Sequence, residues 1–135
     1  MDNTQSLDEM LANMDIQSQG IYVFANLDEI PEGVEPFATV REKEGTTIVI
    51  SEDRAEKAGL PTDNRFARIT LELPSSLLSI GLAATIGQTL AARSITCNQL
   101  AGFHHEHLFV QVDKADEALS IMRDLKEQAK GWLPR

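Results

Sequence analysis

The hydrophobic pattern changes period several times along the chain. Ile69, Leu71 and Leu73 alternate with Arg68, Thr70 and Glu72, the two-residue period of a half-buried strand that Pro74 ends. Leu78, Leu82, Ile86 and Leu90 then recur every fourth residue, which places them on one face of a helix. Gly81, Ala83, Ala84, Gly87 and Ala91 are small and let that helix lie close to a sheet or a partner. Ser75, Ser76 and Ser79 are each candidate N-caps for it. A strand is predicted over 94–102, and another where Leu108, Val110 and Val112 alternate with Phe109 and Gln111. Asp113 and Asp116 mark the start of a last helix, whose apolar face is Ala115, Ala118, Met122, Leu125 and Ala129. The second half therefore reads β-α-β-β-α. That is the split βαβ order of a ferredoxin-like unit without its last strand, and residues 131–135 are too few to supply one.

The first half has a different order, α-β-β-β-α. Ser6 and Glu9 form a capping box for a short helix over about residues 6–13 with a Leu7, Met10, Leu11, Met14 stripe. Gly20 interrupts a polar run, and the β-branched and aromatic residues after it predict a strand over 20–27. Residues 28–36, DEIPEGVEP, form an exposed loop longer than most, a candidate lid. A hairpin follows, with strands over 37–41 and 46–50 turning at Glu44-Gly45. Ser51 caps a helix over about 52–58, ended by Gly59. A boundary near residue 63 divides the chain into units 1–63 and 64–135. Either the two halves complete one another's sheet or a second copy of the chain does, because an unfinished sheet leaves a reactive edge.

Composition narrows the functional classes. The chain has 135 residues, enough for one compact domain or two small ones with a common core. Twelve basic against twenty-one acidic residues give a net charge of −9, which disfavours nucleic acid and anionic membranes as partners. A single cysteine excludes an intramolecular disulfide. The N-terminus has no basic, apolar signal pattern, and no apolar run approaches the roughly 20 residues of a membrane helix. A cytoplasmic protein is expected. Aromatics are sparse, at 5%, so the core is expected to be aliphatic.

The chemistry-bearing candidates are few. Gly102-Phe103-His104-His105-Glu106-His107 reads as a histidine-rich turn between two strands. On an extended backbone His105 and His107 share a face, and Cys97 on the facing strand is a candidate third metal ligand. No HExxH or spaced CxxC pattern accompanies them, and a plain or ligand-lining turn is the competing reading. Cys97 needs a nearby base to act as a nucleophile; a small packed side chain is the alternative. The segment from Pro74 to Gly81 leads into a helix N-terminus, where free N–H groups suit a carboxylate. No nucleotide-binding loop, GxSxG or calcium loop is present.

Taken together these residues resemble a family. Gly81-Leu82, Ser94-Ile95, Asn98, Ala101-Gly102-Phe103, the histidine run, Leu108-Phe109-Val110 and Ala118-Leu119 look like the C-terminal half of small bacterial tandem ACT-domain proteins. Those are related to the ACT domains of the cellular arginine sensors and of aspartate kinases. YVFANL, PFATVREKEGTTIVI and EDRAEKAGL resemble the partner ACT unit of the same proteins. The resemblance implies an α+β fold of two ferredoxin-like, βαββαβ-type units, with antiparallel sheets and helices on one face. It implies a non-catalytic regulator without a cofactor that binds an amino acid between paired units, works as a homodimer and passes its signal to a separate protein. The ligand-lining positions it implies are Ser79, Ile80, Gly81, Leu82, Asn98, Ala101, Gly102, Phe103, His104 and His105. A ligand-free docking module and a metal-dependent enzyme built on His105, His107 and Cys97 are the alternatives.

Overall fold

The computed structural model describes residues 6–73 and 77–134. Six strands form one sheet: β1 (Asp15–Leu27), β2 (Ala38–Glu42), β3 (Gly45–Ser51), β4 (Arg65–Glu72), β5 (Cys97–Ala101) and β6 (His105–Gln111). Their order is β2-β3-β1-β4-β6-β5, and every neighbouring pair is antiparallel. The helices are α1 (Leu7–Asn13), α2 (Glu52–Lys57), α3 (Leu82–Ala91) and α4 (Ala115–Trp132), the last entered through a 3₁₀ turn at Val112–Lys114. No helix among the described residues is long and apolar enough to cross a membrane.

The strand missing from the second half is supplied by the first. The start of β1 pairs with the end of β4, Asp15 opposite Glu72 and Ser18 opposite Ile69. The predicted strand began at residue 20, so β1 extends five residues further toward the N-terminus. The register shifts between Ser18 and Ile21, where Gly20 takes φ +86. That bulge lets Ile16 and Ile21 both face the helices although five positions separate them.

All four helices lie on one face. Partners across antiparallel strands share a face, so Val23, Ile50, Ala67, Ile69, Leu71, Leu108 and Val110 form one row set. Ala55 of α2 packs on Val23, Ala25, Ile48 and Ile50. The larger cluster joins β4 and β6 to Leu82, Ile86 and Leu90 of α3, to Ala118, Met122, Leu125 and Ala129 of α4, and to Met10, Leu11 and Ala12 of α1. So α1 packs into the core of the second half. The N-cap half of its predicted capping box forms, with Ser6 Oγ accepting from the Glu9 N–H at 3.1 Å, while Glu9 Oε1 takes the Ser6 hydroxyl at 3.1 Å in place of the Ser6 backbone N–H.

Three further boundaries differ from the sequence expectation. Helix α3 starts at Leu82, so Leu78, 85% exposed, is not on its buried face. Of the candidate caps, Ser75 and Ser76 lie outside the described residues, and the N-cap is Gly81 rather than Ser79. Strand β5 begins only at Cys97 because residues 94–95 close α3: Ser94 turns left-handed at φ 59, and the Ile95 N–H donates to Leu90 O at 3.1 Å. Strand β6 begins at His105, so the turn is only residues 102–104, and His105, Glu106 and His107 belong to the strand.

Leu11 is fully buried in the α1–α4–sheet cluster. Leu11→Ala is expected to cost about 2–5 kcal/mol in urea unfolding, the range for a buried leucine. A loss under about 1 kcal/mol would mean that α1 does not belong to this core.

Candidate functional site

The two faces of β5 and β6 carry different chemistry. On the open face, His105 and His107 point the same way, opposite Glu72 and Thr70 of β4. Arg68 stands beside them. Its Nη1 donates to the Tyr22 hydroxyl at 2.7 Å, its Nη2 meets His107 Nδ1 at 3.3 Å, and the Phe37 ring lies 3.9 Å from its guanidinium carbon. A guanidinium only donates, so His107 Nδ1 is an acceptor and the imidazole is neutral. Burial, then Arg68, then His105 hold His107 down to about 4. Beyond this group the face is aromatic, with Phe24, Phe66, Phe109, Tyr22 and Phe37 in edge-on contacts 5.2–6.0 Å between centroids.

On the helix face, Cys97 packs against the core, and burial pushes its thiol up to about 11. The sheet therefore separates Cys97 from His105 and His107. The expectation that Cys97 approaches as a third metal ligand fails on that parity. Among the described residues no group of three His, Cys, Asp or Glu is placed to hold a metal ion. A raised thiol pKa also works against a nucleophilic Cys97.

Further along the helix face, α3 and the ends of β5 and β6 enclose a cleft of about 200 Å³. Leu77, Ser79, Leu82, Ala83, Gln99, Ala101 and Glu106 line it. Glu106 is only 7% exposed and lines this cleft. Burial raises its pKa, because the charged form is poorly solvated there. Gln99 Nε2 donates to Ala83 O at 2.9 Å, while Gln99 Oε1 is buried and unpartnered. The N-cap of α3 is Gly81 at φ +87, which brings no side chain to satisfy the first-turn amides. Ser79 Oγ reaches Met10 Sδ at 3.6 Å.

The structure thus brings together Ser79, Leu82 and Ala101 of the residues expected to line a ligand, with Gly81 adjoining as the N-cap of α3. Gly102 sits in the adjoining turn, where its N–H donates to His105 O at 2.9 Å. Asn98 and His105 face the open side of the sheet, away from the cleft. Ile80 and Phe103 are 91% and 74% exposed, and His104 is exposed as well. Glu106 and Gln99 were missed. Both were legible from period two: Glu106 falls in step with Leu108 and Val110, and Gln99 with Cys97 and Ala101. A larger cleft of about 440 Å³ lies between the 28–36 loop and α2, but its charged residues Glu32, Glu35, Arg54 and Lys57 are all exposed.

Comparison with known proteins gives the family. Residues 3–67 match the model of the ACT domain. A crystal structure of a Vibrio cholerae protein of unknown function, described as a possible transport protein, is similar at 36% identity over 90% of this chain and 96% of that one, with a TM-score of 0.77. Residues 3–67 of this chain belong to the ACT-domain family. Two more distant likenesses share the ACT fold alone. One is a protein from Agrobacterium tumefaciens, 17% identical over 84% of this chain and 89% of that one, TM-score 0.62. The other is the ligand-free regulatory subunit of aspartate kinase from Thermus thermophilus, 10% identical over 83% of this chain and 95% of that one, TM-score 0.60. No protein of curated function matches the chain. ACT domains are commonly regulatory. The matched model covers the first half, whereas the sequence resemblance was more specific in the second.

The depressed His107 pKa has a defined consequence. Between about pH 6.5 and 4 the unfolded imidazole binds a proton that the folded one refuses, so folding stability falls as pH is lowered through that window. Glu106 acts with the opposite sign, since its raised pKa favours proton uptake in the folded state. Thermal melts from pH 7 to 4 should therefore show a smaller acid-side loss for His107→Gln than for the wild type. Parallel curves for the two would remove His107 as the cause.

Proposed function

We propose that the protein is a non-catalytic regulator that binds an α-amino acid in the cleft between α3 and the β5–β6 end. The largely buried Glu106 side chain in the cleft beside the glycine-capped α3 start is the observation that carries this reading. A zwitterion matches both ends of it. Its ammonium pairs with Glu106, and its carboxylate meets the first-turn amides of α3, where the helix dipole is positive. The ligand's cation favours the ionised form of Glu106, so binding releases a proton wherever the free carboxyl is protonated. Ser79, Gly81, Leu82, Ala101, Gln99 and Glu106 are the proposed contact residues.

The sheet order supports a two-unit reading of the fold. We read β4-β1-β3-β2 and β1-β4-β6-β5 as two overlapping ferredoxin-like orders, the first strand of each serving as the last of the other. In the first unit the 28–36 loop stands where a helix is usual. Exposed Leu77, Leu78, Ile80 and Phe103 surround the residue ranges that form the cleft, which suits a mouth covered by a second copy of the chain. A homodimer signalling to a separate protein in the cytoplasm completes the proposal, the last point resting on a lone cysteine held as a free thiol.

A thermal-shift panel of the twenty amino acids at millimolar concentration is the direct test. A true ligand at a hundredfold excess over its Kd stabilises by about 2.7 kcal/mol. Glu106→Gln should keep the fold and lower the affinity about ten- to hundredfold, the worth of a charged hydrogen bond. No shift from any amino acid in the wild type would sink the reading. Sedimentation provides a second check: Ile80→Glu should move a dimer toward monomer, and unchanged sedimentation would exclude that rim from the interface.

A further inference from the structure

Strand β1 is longer than the ladder that holds one of its sides. Its pairing with β3 covers residues 22–27 only, because Ser51, opposite Tyr22, is where β3 ends and α2 begins. Its pairing with β4 continues down to Asp15. Over residues 15–20 the strand is therefore held on the β4 side alone, and among the described residues no strand lies on the other. Asp15, Gln17, Ser18, Gln19 and Gly20 are exposed accordingly. Such an edge presents unpaired N–H and C=O groups to any extended segment that reaches it.

The helix above this edge gives it a sign. The flank of α4 that carries Asp124 and Gln128 turns toward Thr89 of α3. The opposite flank turns toward β1, where Asp15, Ile16, Arg123, Lys126 and Glu127 line a recess of about 320 Å³. Ile16 packs on the larger core cluster and supplies the apolar wall. Arg123 and Lys126, at i and i+3, are neighbours on the helix surface. The two acids of the recess are already engaged. Asp15 accepts from Gln17 Nε2 at 2.7 Å, and Glu127 pairs with Lys130 Nζ at 2.9 Å. Neither Arg123 nor Lys126 has an ion-pair partner among the described residues. A chain of net charge −9 thus sets two unpaired cations beside an open strand edge.

We propose that the free edge at residues 15–20 is a docking site for an extended acidic segment of a partner protein, which adds to β1 as a further strand. Backbone hydrogen bonds to β1 give the hold, and alternate side chains of the segment give the selectivity. Those on the helix side meet Ile16, Arg123 and Lys126. Those on the open side meet Gln17 and Gln19, whose amides bond one another at 3.3 Å. A second copy of the chain is a poorer occupant, since a twofold through this edge brings Arg123 and Lys126 of both copies to one seam. The edge is short and polar and ends at the Gly20 bulge, which suits a reversible contact. The separate partner of the regulatory reading gains a place to attach, yet the docking edge needs nothing from the amino-acid cleft.

Fluorescence anisotropy of a short labelled peptide of alternating Glu and Val, titrated with the full chain, tests the assignment. An alternating Lys-Val peptide is the control, and net charge alone would favour it. The Glu-Val peptide should bind saturably and more tightly than the control. Arg123→Gln combined with Lys126→Gln should weaken it about three- to tenfold, the worth of two surface ion pairs. Neither side chain belongs to the core cluster, so the variant keeps the fold. N-methylation of every peptide bond in the Glu-Val peptide leaves its charge unchanged and should abolish binding. Amide exchange at residues 15–19 should slow when the unmodified peptide is present. Absent Glu-Val binding, binding indifferent to N-methylation or to the double substitution, or protection on β2 or β5 in place of β1 overturns the proposal. Protection at residues 15–19 that rises with protein concentration, without peptide binding, makes a second copy the occupant and overturns it too. The titrations contain no amino acid, so their outcome is independent of the thermal-shift panel.

Discussion

The antiparallel pairing of β1 with β4 is the contact on which everything else depends. It joins strands fifty residues apart in sequence and turns two incomplete sheets into one. Without it β4 would present an open edge, and the second half would lack the strand its order calls for. The bulge at Ser18–Ile21 keeps Ile16 and Ile21 on the helix side across the register shift. That continuity lets one layer of helices cover the sheet from β3 to β5, leaving only the edge strand β2 bare. It also gives α1 its place against α4, because the chain enters β1 directly from α1.

The two sheet faces are stabilised by different materials. The described helix-side clusters contain no aromatic residue, only aliphatic side chains, methionine and a partly buried cysteine. Five of the chain's seven aromatics gather instead on the uncovered face, where Phe109 is fully buried by its neighbours' rings although no helix lies over it. Arg68 and His107 extend this layer with a cation held by ring faces and neutral acceptors. Aromatic sparseness in the sequence was a sound guide to the helix-side core. It gave no warning of a second, aromatic layer, because the rings come from four separate segments.

Legibility followed the burial pattern. The alternation of Ile69, Leu71 and Leu73 and the four-residue repeat of Leu82, Ile86 and Leu90 named their elements, since one side of each is fully buried. The polar run from Asp15 to Gln19 was illegible as strand. Of its side chains only Ile16 meets the core, and the pairing that holds it comes from far along the chain. The candidate cleft was partly legible. Ser79, Leu82 and Ala101 line it, but strand parity sends Asn98 and His105, close to them in sequence, to the other face. Three adjacent histidines drew attention away from the glutamate between two of them. Yet a lone carboxylate in an otherwise apolar row is the rarer physical event.

The bulged β1–β4 ladder also limits how this molecule can carry a signal. A protein made of lobes on a linker transmits by swinging one against the other. Here the strand that would have to bend is the same strand that both halves are built on, and a rotation between them would tear backbone hydrogen bonds along its length. What rests on the sheet's margins, residues 77–81 and the 102–104 turn, is free of that constraint. Under the proposed regulatory reading, such a molecule works less as a lever than as a seal, changing the surface it offers at one rim while its frame stays still.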